Sequence, residues 1–289
     1  MTPEELTIEI PGLTLAAKAW GPADGHKVLC LHGWLDNAAT FDALAPLLDG
    51  GLRLVCLDLP GHGLSEHRHR SAGYDFIYWI TDVAAAAAAL GWERYSLLAH
   101  SLGGSIALCL AGTLPQQVER AVILDSLGPL VTEAAGVVQR LARGMADQRR
   151  RDGKKASSYE DEQTAVGRRV RAMPGLTEEA ARPLVRRGSR QQDGRVVWRH
   201  DPRLQGSSLQ RLTEQQVQAF LAAIRCPVLL LRPDGGWPVD PGWARARLDN
   251  VEDLTVKEVS GCHHVHLVDP DRVAALINEF MISPERSEP

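Results

Sequence analysis

Residues 94–112 read RYSLLAHSLGGSIALCLAG: a short apolar run, a serine, two glycines and a stretch of helix formers. The first part predicts a buried strand and the last part a helix, with Ser101 in the sharp turn between them. Gly103 and Gly104 let such a helix lie close to the strand. The Leu102 N–H and the helix dipole would favour negative charge beside the hydroxyl. The stretch therefore predicts a nucleophilic serine, with a plain helix cap as the alternative.

Similar apolar runs occur on both sides of this stretch, with helical patterns between them. The runs cover residues 27–33, 52–61, 120–126, 226–232 and 254–261, and the helical patterns cover 38–48, 75–90, 103–114 and 271–280. Hydrophobicity that is continuous, and does not alternate, is typical of strands covered on both faces. The sequence therefore predicts an α/β fold with a mostly parallel central sheet flanked by helices.

One long segment breaks this alternation. Residues 128–224 contain few strand candidates, and within them residues 139–200 carry 16 basic against 8 acidic residues. Such charge asymmetry indicates a separate substructure. We therefore predict a helical cap at 128–224, inserted into a core domain formed by 1–127 and 225–289.

Composition excludes several classes of function. The net charge of -4 and the pI near 6.2 argue against a nucleic-acid partner. No run approaches the roughly 18 apolar residues of a membrane span, and the first residues do not resemble a secretory signal. The five cysteines are widely spaced and lie mostly in apolar runs, which favours buried thiols in a reducing compartment. The predicted location is cytoplasmic.

Chemistry-bearing residues are expected directly after the strands, because ligands of open α/β sheets bind at the carboxyl ends of strands. Trp34 follows the run KVLCLHG, and its backbone N–H is the predicted second oxyanion donor beside Leu102. The late run SGCHHVHLVDP offers His263 as the general base, with His264 as the alternative. Three histidines in four residues also suggest a metal, but no HExxH helix accompanies them. The sequence therefore predicts neither a cofactor nor a bound metal.

The acid that orients the base has three candidates. Asp125 ends the strand that follows the nucleophile helix, and a carboxylate there can reach the far side of an imidazole. Asp240 and Asp234 follow the run CPVLLLR. We predict Asp125, then Asp240, then Asp234. The competing interpretation of Asp125 is a turn residue.

These motifs resemble the α/β-hydrolase superfamily in chain order, through LHGW, DLPGHGLS, the serine elbow and the late histidine before Asp-Pro. The longer strings LCLHGWLDNAATFDALAPLL (29–48), LVRRGSRQQDGRVVWRHDPRL (184–204) and GCHHVHL resemble more narrowly its serine hydrolase-like proteins. The resemblance implies Ser101 as nucleophile, His263 as base and an aspartate as acid. The chain departs from the pattern at Gly236, where the superfamily commonly carries the acid.

The resulting prediction is a serine hydrolase that cleaves carboxylic esters or related acyl compounds through an acyl-enzyme. Trp34, His100, Leu127 and Trp237 are predicted to line the pocket, which favours a small-molecule substrate with an apolar acyl group. Arginines of the cap are alternative contacts for a carboxylate-bearing substrate, among them Arg186, Arg187, Arg190 and Arg199. Other functions remain open: a non-catalytic receptor or scaffold, a cofactor-free oxygenase or haloperoxidase-like enzyme, or a C–C bond hydrolase.

Overall fold

The computed structural model describes residues 2–282, which form eleven strands and nine α-helices. The strands are β1 Glu4–Ile10, β2 Leu13–Trp20, β3 His26–Leu31, β4 Leu52–Leu57, β5 Tyr95–His100, β6 Val118–Leu124, β7 Ser158–Tyr159, β8 Ser189–Gln192, β9 Arg195–Trp198, β10 Val228–Gly235 and β11 Leu254–Cys262. The helices are α1 Phe76–Ala89, α2 Leu102–Thr113, α3 Val137–Arg151, α4 Glu162–Ala172, α5 Glu178–Gly188, α6 Glu214–Ala222, α7 Pro241–Leu248, α8 Val265–Val268 and α9 Pro270–Ile282.

Eight strands form one sheet in the order β1-β2-β4-β3-β5-β6-β10-β11. The pairs from β4 to β11 are parallel, whereas β1 pairs antiparallel with β2 and β2 antiparallel with β4. This confirms the mostly parallel sheet. The six predicted strands correspond to β3, β4, β5, β6, β10 and β11. The sequence analysis missed the β1–β2 hairpin, because β1 is an edge strand whose polar residues alternate with apolar ones.

Two apolar clusters cover the two faces of this sheet. One packs α1, α2 and α6 against the strands, and it includes Ala86 and Ala87 from the alanine run of α1. The other packs α9 and the 3-10 turns near residues 38–47 against the opposite face. These turns replace the single helix that the sequence predicts at 38–48. Pro46 within them has no N–H to continue an α-helical ladder.

The segment between β6 and β10, residues 128–224, is here called the intervening segment. It contains α3 to α6 and a small antiparallel sheet in the order β7-β9-β8, whose strands are too short for the sequence pattern to predict. Its own apolar cluster joins α4 and α5 to β9.

The eight-stranded sheet and the helices that flank it are here called the sheet domain. Buried polar contacts anchor the α4–α5 part of the intervening segment to it. Arg187 donates from Nε to Asp58 Oδ2 at 2.9 Å and from Nη1 to Glu5 Oε1 at 2.7 Å. The Asn37 amide donates to the Leu184 carbonyl at 2.9 Å. By contrast, α3 leaves apolar side chains in solvent, and Val138 is 77% exposed.

No helix within residues 2–282 is long and apolar enough to cross a membrane. The cysteines at 30, 56, 109, 226 and 262 are all free thiols, and all but Cys262 are buried.

Candidate active site

Ser101 occupies a strained turn between β5 and α2. Its φ of 52° and ψ of −113° lie outside the regions that non-glycine residues usually adopt, and its backbone N–H donates to the Leu124 carbonyl at 3.0 Å. Gly103 lets α2 pack closely after this turn, because a Cβ atom there would lie 2.3 Å from the Leu31 carbonyl oxygen. The predicted close approach of this helix to the sheet is therefore present, and it is made to the end of β3.

His263 lies between Ser101 and Asp125. Its Nε2 is 2.9 Å from the Ser101 Oγ, and its Nδ1 is 2.5 Å from Asp125 Oδ2. Because a carboxylate can only accept, Nδ1 carries the proton in the neutral ring and Nε2 is free to accept from the serine hydroxyl. The three predicted residues thus form one continuous line of hydrogen bonds.

The other two candidate acids serve different partners. Asp240 accepts the Trp243 N–H at 3.0 Å and caps α7, and Asp234 accepts the Gly261 N–H at 2.9 Å. Within the described chain, neither carboxylate forms a hydrogen bond with His263. The structure therefore brings the first-ranked acid to the base and neither alternative.

The surroundings of Gly236 explain why this chain has a glycine where the superfamily commonly carries the acid. A Cβ atom at this position would lie 2.5 Å from Asp125 Oδ2, so a side chain there would collide with the carboxylate that contacts His263. The loop after β10 passes directly over Asp125, and the Trp237 backbone N–H donates to Asp125 Oδ2 at 2.7 Å. In this chain the carboxylate that contacts His263 comes from the end of β6, and the loop after β10 supplies a hydrogen-bond donor to it.

The two predicted oxyanion donors come from separate elements beside the serine. Leu102 is the first residue of α2, where a backbone N–H has no partner inside the helix. Trp34 lies in the loop after β3. The buried His32 ring stabilises this loop, because it contacts the Gly33 carbonyl at 2.7 Å and accepts the Leu59 N–H at 2.9 Å. The Trp34 indole donates to the Leu204 carbonyl at 3.1 Å.

A large cleft of about 1010 Å³ opens above Ser101. The predicted lining residues Trp34, His100, Leu127 and Trp237 all border it, together with Ser101 and His263. Both the sheet domain and the intervening segment contribute to its walls. The two tryptophans are 43% and 56% exposed, so they present apolar surface to a ligand.

A second group of ionisable side chains lies buried behind His263. Asp36 accepts from His264 Nε2 at 3.2 Å and pairs through its other oxygen with Arg169 of α4. His100 donates from Nε2 to the His263 carbonyl at 2.9 Å, and burial lowers the pKa of His100 to about 4. Burial favours the neutral acid at Asp36, but Arg169 and then His264 outweigh it and hold the pKa well below its usual range.

Within residues 2–282, this buried group contains three side chains with donor atoms that could hold a metal ion. One atom each of Asp36, His100 and His264 lies within 4.8 Å of the others, so these three side chains could hold an ion. Arg169 already compensates the carboxylate charge, which favours a supporting role for the group. The sequence analysis missed Asp36 and Arg169. Only the position of Asp36 in the LHGWLDN string pointed to it.

The four arginines that the sequence offers as alternative contacts for a carboxylate-bearing substrate do not border the cleft. Each is held by another group: Arg186 by Glu162, Arg187 by Asp58 and Glu5, Arg190 by Gln192, and Arg199 by the Ser189 carbonyl.

Comparison with known proteins agrees with this architecture. A family model described as the alpha/beta hydrolase fold matches residues 27–270. A serine hydrolase-like protein of Danio rerio is 34% identical over 98% of this chain and 90% of its own length. Among solved structures, a hypothetical protein of Pseudomonas aeruginosa PAO1 is 39% identical with a TM-score of 0.92, covering 97% of this chain and 100% of its own. The thioesterase domain from the curacin biosynthetic pathway is 25% identical with a TM-score of 0.83, covering 96% and 99%. The chain therefore belongs to the α/β-hydrolase fold family, and within it is similar to the serine hydrolase-like proteins.

Proposed function

We propose that this protein is a serine hydrolase that cleaves carboxylic esters through an acyl-enzyme intermediate. The observation that carries the proposal is the continuous line of hydrogen bonds from the Ser101 Oγ through His263 to Asp125. A serine hydroxyl is a weak nucleophile at neutral pH, and a histidine that accepts its proton is the usual means of activating it.

In the proposed reaction, the Ser101 Oγ attacks the acyl carbon while His263 Nε2 accepts the proton. The negative charge on the former carbonyl oxygen is stabilised by the backbone N–H groups of Trp34 and Leu102. His263 then protonates the leaving alkoxide, and a water activated by the same imidazole hydrolyses the acyl-enzyme. Asp125 holds the ring in the required tautomer and stabilises the imidazolium. These steps require no cofactor.

The proposed substrate is a small molecule with an apolar acyl group. Support comes from the tryptophans at the cleft mouth and from Leu127 in its wall. We further propose that the intervening segment acts as the cap of this site, since residues such as Leu204 border the cleft opposite Ser101. The free thiols at all five cysteines favour a cytoplasmic location.

Covalent labelling tests the nucleophile directly. Wild type and Ser101→Ala would be incubated with a fluorophosphonate probe, and intact mass would count the adducts. We expect one adduct on the wild type and none on the variant. Turnover of nitrophenyl esters from acetate to decanoate would then report the preferred acyl length. A folded wild type that stays unlabelled and cleaves no ester would contradict the proposal and favour a receptor or scaffold, whereas oxygen consumption without ester cleavage would favour an oxygenase.

A further inference from the structure

Residues 205–212 form part of the cleft wall, and this segment runs antiparallel to α3. Near the end of α3, Arg151 donates to the Gln205 side chain at 3.2 Å, and earlier in the helix Asp147 accepts the Ser207 N–H at 3.1 Å. Before α3 begins, the Thr132 N–H donates to the Leu212 carbonyl at 3.0 Å. This arrangement brings Arg211, which borders the cleft, to the N-terminal half of α3.

Positive charge accumulates at this place without a matching carboxylate. Burial lowers the pKa of Arg211, and the neighbouring guanidinium groups of Arg140 and Arg143 lower it further. Within residues 2–282, none of these three arginines forms a salt bridge. The only acid of α3, Asp147, is already bound by Arg150 and Ser207. The three arginines, here called the Arg211 cluster, therefore lack a counter-charge.

Two buried polar atoms, one within the cluster and one on a residue before α3, also lack partners. The Arg140 Nε and the Thr132 Oγ1 are shielded from solvent, and neither has a hydrogen-bond partner in the described part of the chain. Buried donors without partners are rare, because each has given up its bonds to water. An oxyanion bound by Arg211 at the cleft wall would compensate the positive charge of these guanidinium groups.

Other charged residues also border the cleft, among them Arg70, Arg149 and Arg232. The guanidinium of Arg203, which borders the cleft too, is bound to Asp201 at 2.6 Å. The acids Asp75 and Asp152 lie along the same cleft, yet neither is among the groups that shift the pKa of Arg211. Arg211 thus borders the cleft beside two further arginines, whereas Arg203 has a carboxylate partner.

We propose that the Arg211 cluster binds a carboxylate or phosphate group at the end of the substrate remote from the scissile bond. This inference rests on the proposed acyl hydrolysis and narrows its substrate class to acyl compounds whose apolar chain ends in an anionic group. Arginine suits the task because its planar fork donates two parallel hydrogen bonds to such groups. The cleft, at about 1010 Å³, has room for a ligand that extends from Ser101 to this wall.

Binding to an inactive variant tests the site independently of turnover. Calorimetry on Ser101→Ala would compare monomethyl adipate, which carries one carboxylate, with neutral dimethyl adipate. We expect the anionic ester to bind at least about tenfold more tightly, as one charge-assisted hydrogen bond allows. Adding Arg211→Gln would abolish the preference, while Arg190→Gln, an arginine outside the cleft, would keep it. Equal affinities for the two esters, or a preference that survives Arg211→Gln, would overturn the proposal.

Kinetics would then separate this site from the catalytic one. With 4-nitrophenyl hydrogen adipate, Arg211→Gln should raise KM about tenfold and leave kcat within a factor of two. The neutral 4-nitrophenyl methyl adipate should be unaffected. Arg211→Lys, which keeps the charge but loses the fork, should restore only part of the affinity. A fall in kcat for both esters would instead indicate a structural role and contradict the proposal.

Two further outcomes distinguish the ligand sources and the two proposals. Inorganic phosphate that competes with the anionic ester more strongly than acetate does would assign a phosphate group, and the reverse order would assign a carboxylate. If Ser101→Ala prefers the anionic ester but the wild type cleaves neither ester, the anion site is supported and the proposed ester hydrolysis fails. If both esters are cleaved equally well, the hydrolase is supported and the anion site is not.

Discussion

Two groups of histidine and aspartate lie side by side in this molecule and differ in how the carboxylate is used. In the line formed by Ser101, His263 and Asp125, each nitrogen of the imidazole has one partner, a hydroxyl at one end and a carboxylate at the other. In the group behind it, His264 and Arg169 both bind Asp36, and among residues 2–282 no hydroxyl forms a hydrogen bond with His264. The same residue types therefore form a line of hydrogen bonds that ends at a hydroxyl in one place and a charge-compensated carboxylate in the other.

The largest expected difference between the groups is in turnover. Asp125→Asn should lower kcat by about 10⁴-fold, because an amide favours the wrong tautomer of His263. Asp36→Asn should mainly lower stability, by about 3 kcal/mol or more, since it leaves Arg169 buried without its counter-charge. Ester turnover and urea unfolding of both variants would measure this. An Asp125→Asn enzyme with more than a tenth of wild-type kcat would contradict the assignment.

A second difference concerns acid stability and resides in the buried group. Burial lowers the pKa of His100 to about 4, whereas the unfolded chain titrates near the ordinary 6.5. Between these values the unfolded state binds a proton that the native state does not, so stability is complete above about pH 6.5 and is lost as the pH falls toward 4. His100 alone should account for on the order of 3 kcal/mol of this loss.

Urea unfolding at pH 7.5, 6 and 5 would measure the effect. The pKa values of His62 and His266 are also lowered, chiefly by burial, so the wild type should lose stability throughout this range. His100→Gln keeps a donor for the His263 carbonyl but removes the titrating ring, and its loss of stability with pH should be shallower. Identical slopes for variant and wild type would show that His100 does not take part.

The position of the Asp125 carboxylate can be disturbed without replacing Asp125 itself. Gly236→Ala would place a Cβ atom 2.5 Å from Asp125 Oδ2 and displace either the carboxylate or the loop that carries the Trp237 N–H. We expect kcat to fall by about 10- to 100-fold. Gly242→Ala is the matched control, because its Cβ atom would make an ordinary contact of 3.4 Å with Asp240. Equal activity of the two variants would rule out the steric explanation.

The smallest effect is expected at the alternative acid. Asp240→Asn preserves an oxygen that can accept the Trp243 N–H, so kcat/KM should stay within about twofold of wild type. A loss above tenfold, measured with the best nitrophenyl ester, would make Asp240 the functional acid.

The sequence was sufficient for the parts of the site that depend on local order. Ser101 and His263 directly follow apolar runs, and strand ends in a parallel sheet converge on one edge. Asp125 could be ranked but not singled out, because its contact with His263 depends on how β6, β10 and β11 lie next to one another. The glycine at position 236 departs visibly from the superfamily pattern, but the sequence alone does not show that the loop after β10 passes over Asp125.

The missed parts depend on contacts between distant segments. Asp36 and Arg169 are 133 residues apart, and nothing near either position indicates the other. The arginines that the sequence offered as alternative substrate contacts bind other groups of the protein, as Arg187 does between β1 and the loop after β4. Hydrophobic pattern predicts which elements are buried, but not which charged side chains accompany them.

The anchors of the intervening segment have a consequence for motion. Arg187 and Arg169 fix α5 and α4 to the sheet domain through buried carboxylates, so those two helices cannot swing away without exposing unpaired charges. In the described part of the chain, α3 forms no salt bridge with the sheet domain, since its one ion pair is internal, and it keeps apolar side chains in water. Entry of a substrate and departure of a product should therefore depend on displacements of α3, on the microsecond-to-millisecond timescale typical of such elements, and not on a hinge that moves the whole segment.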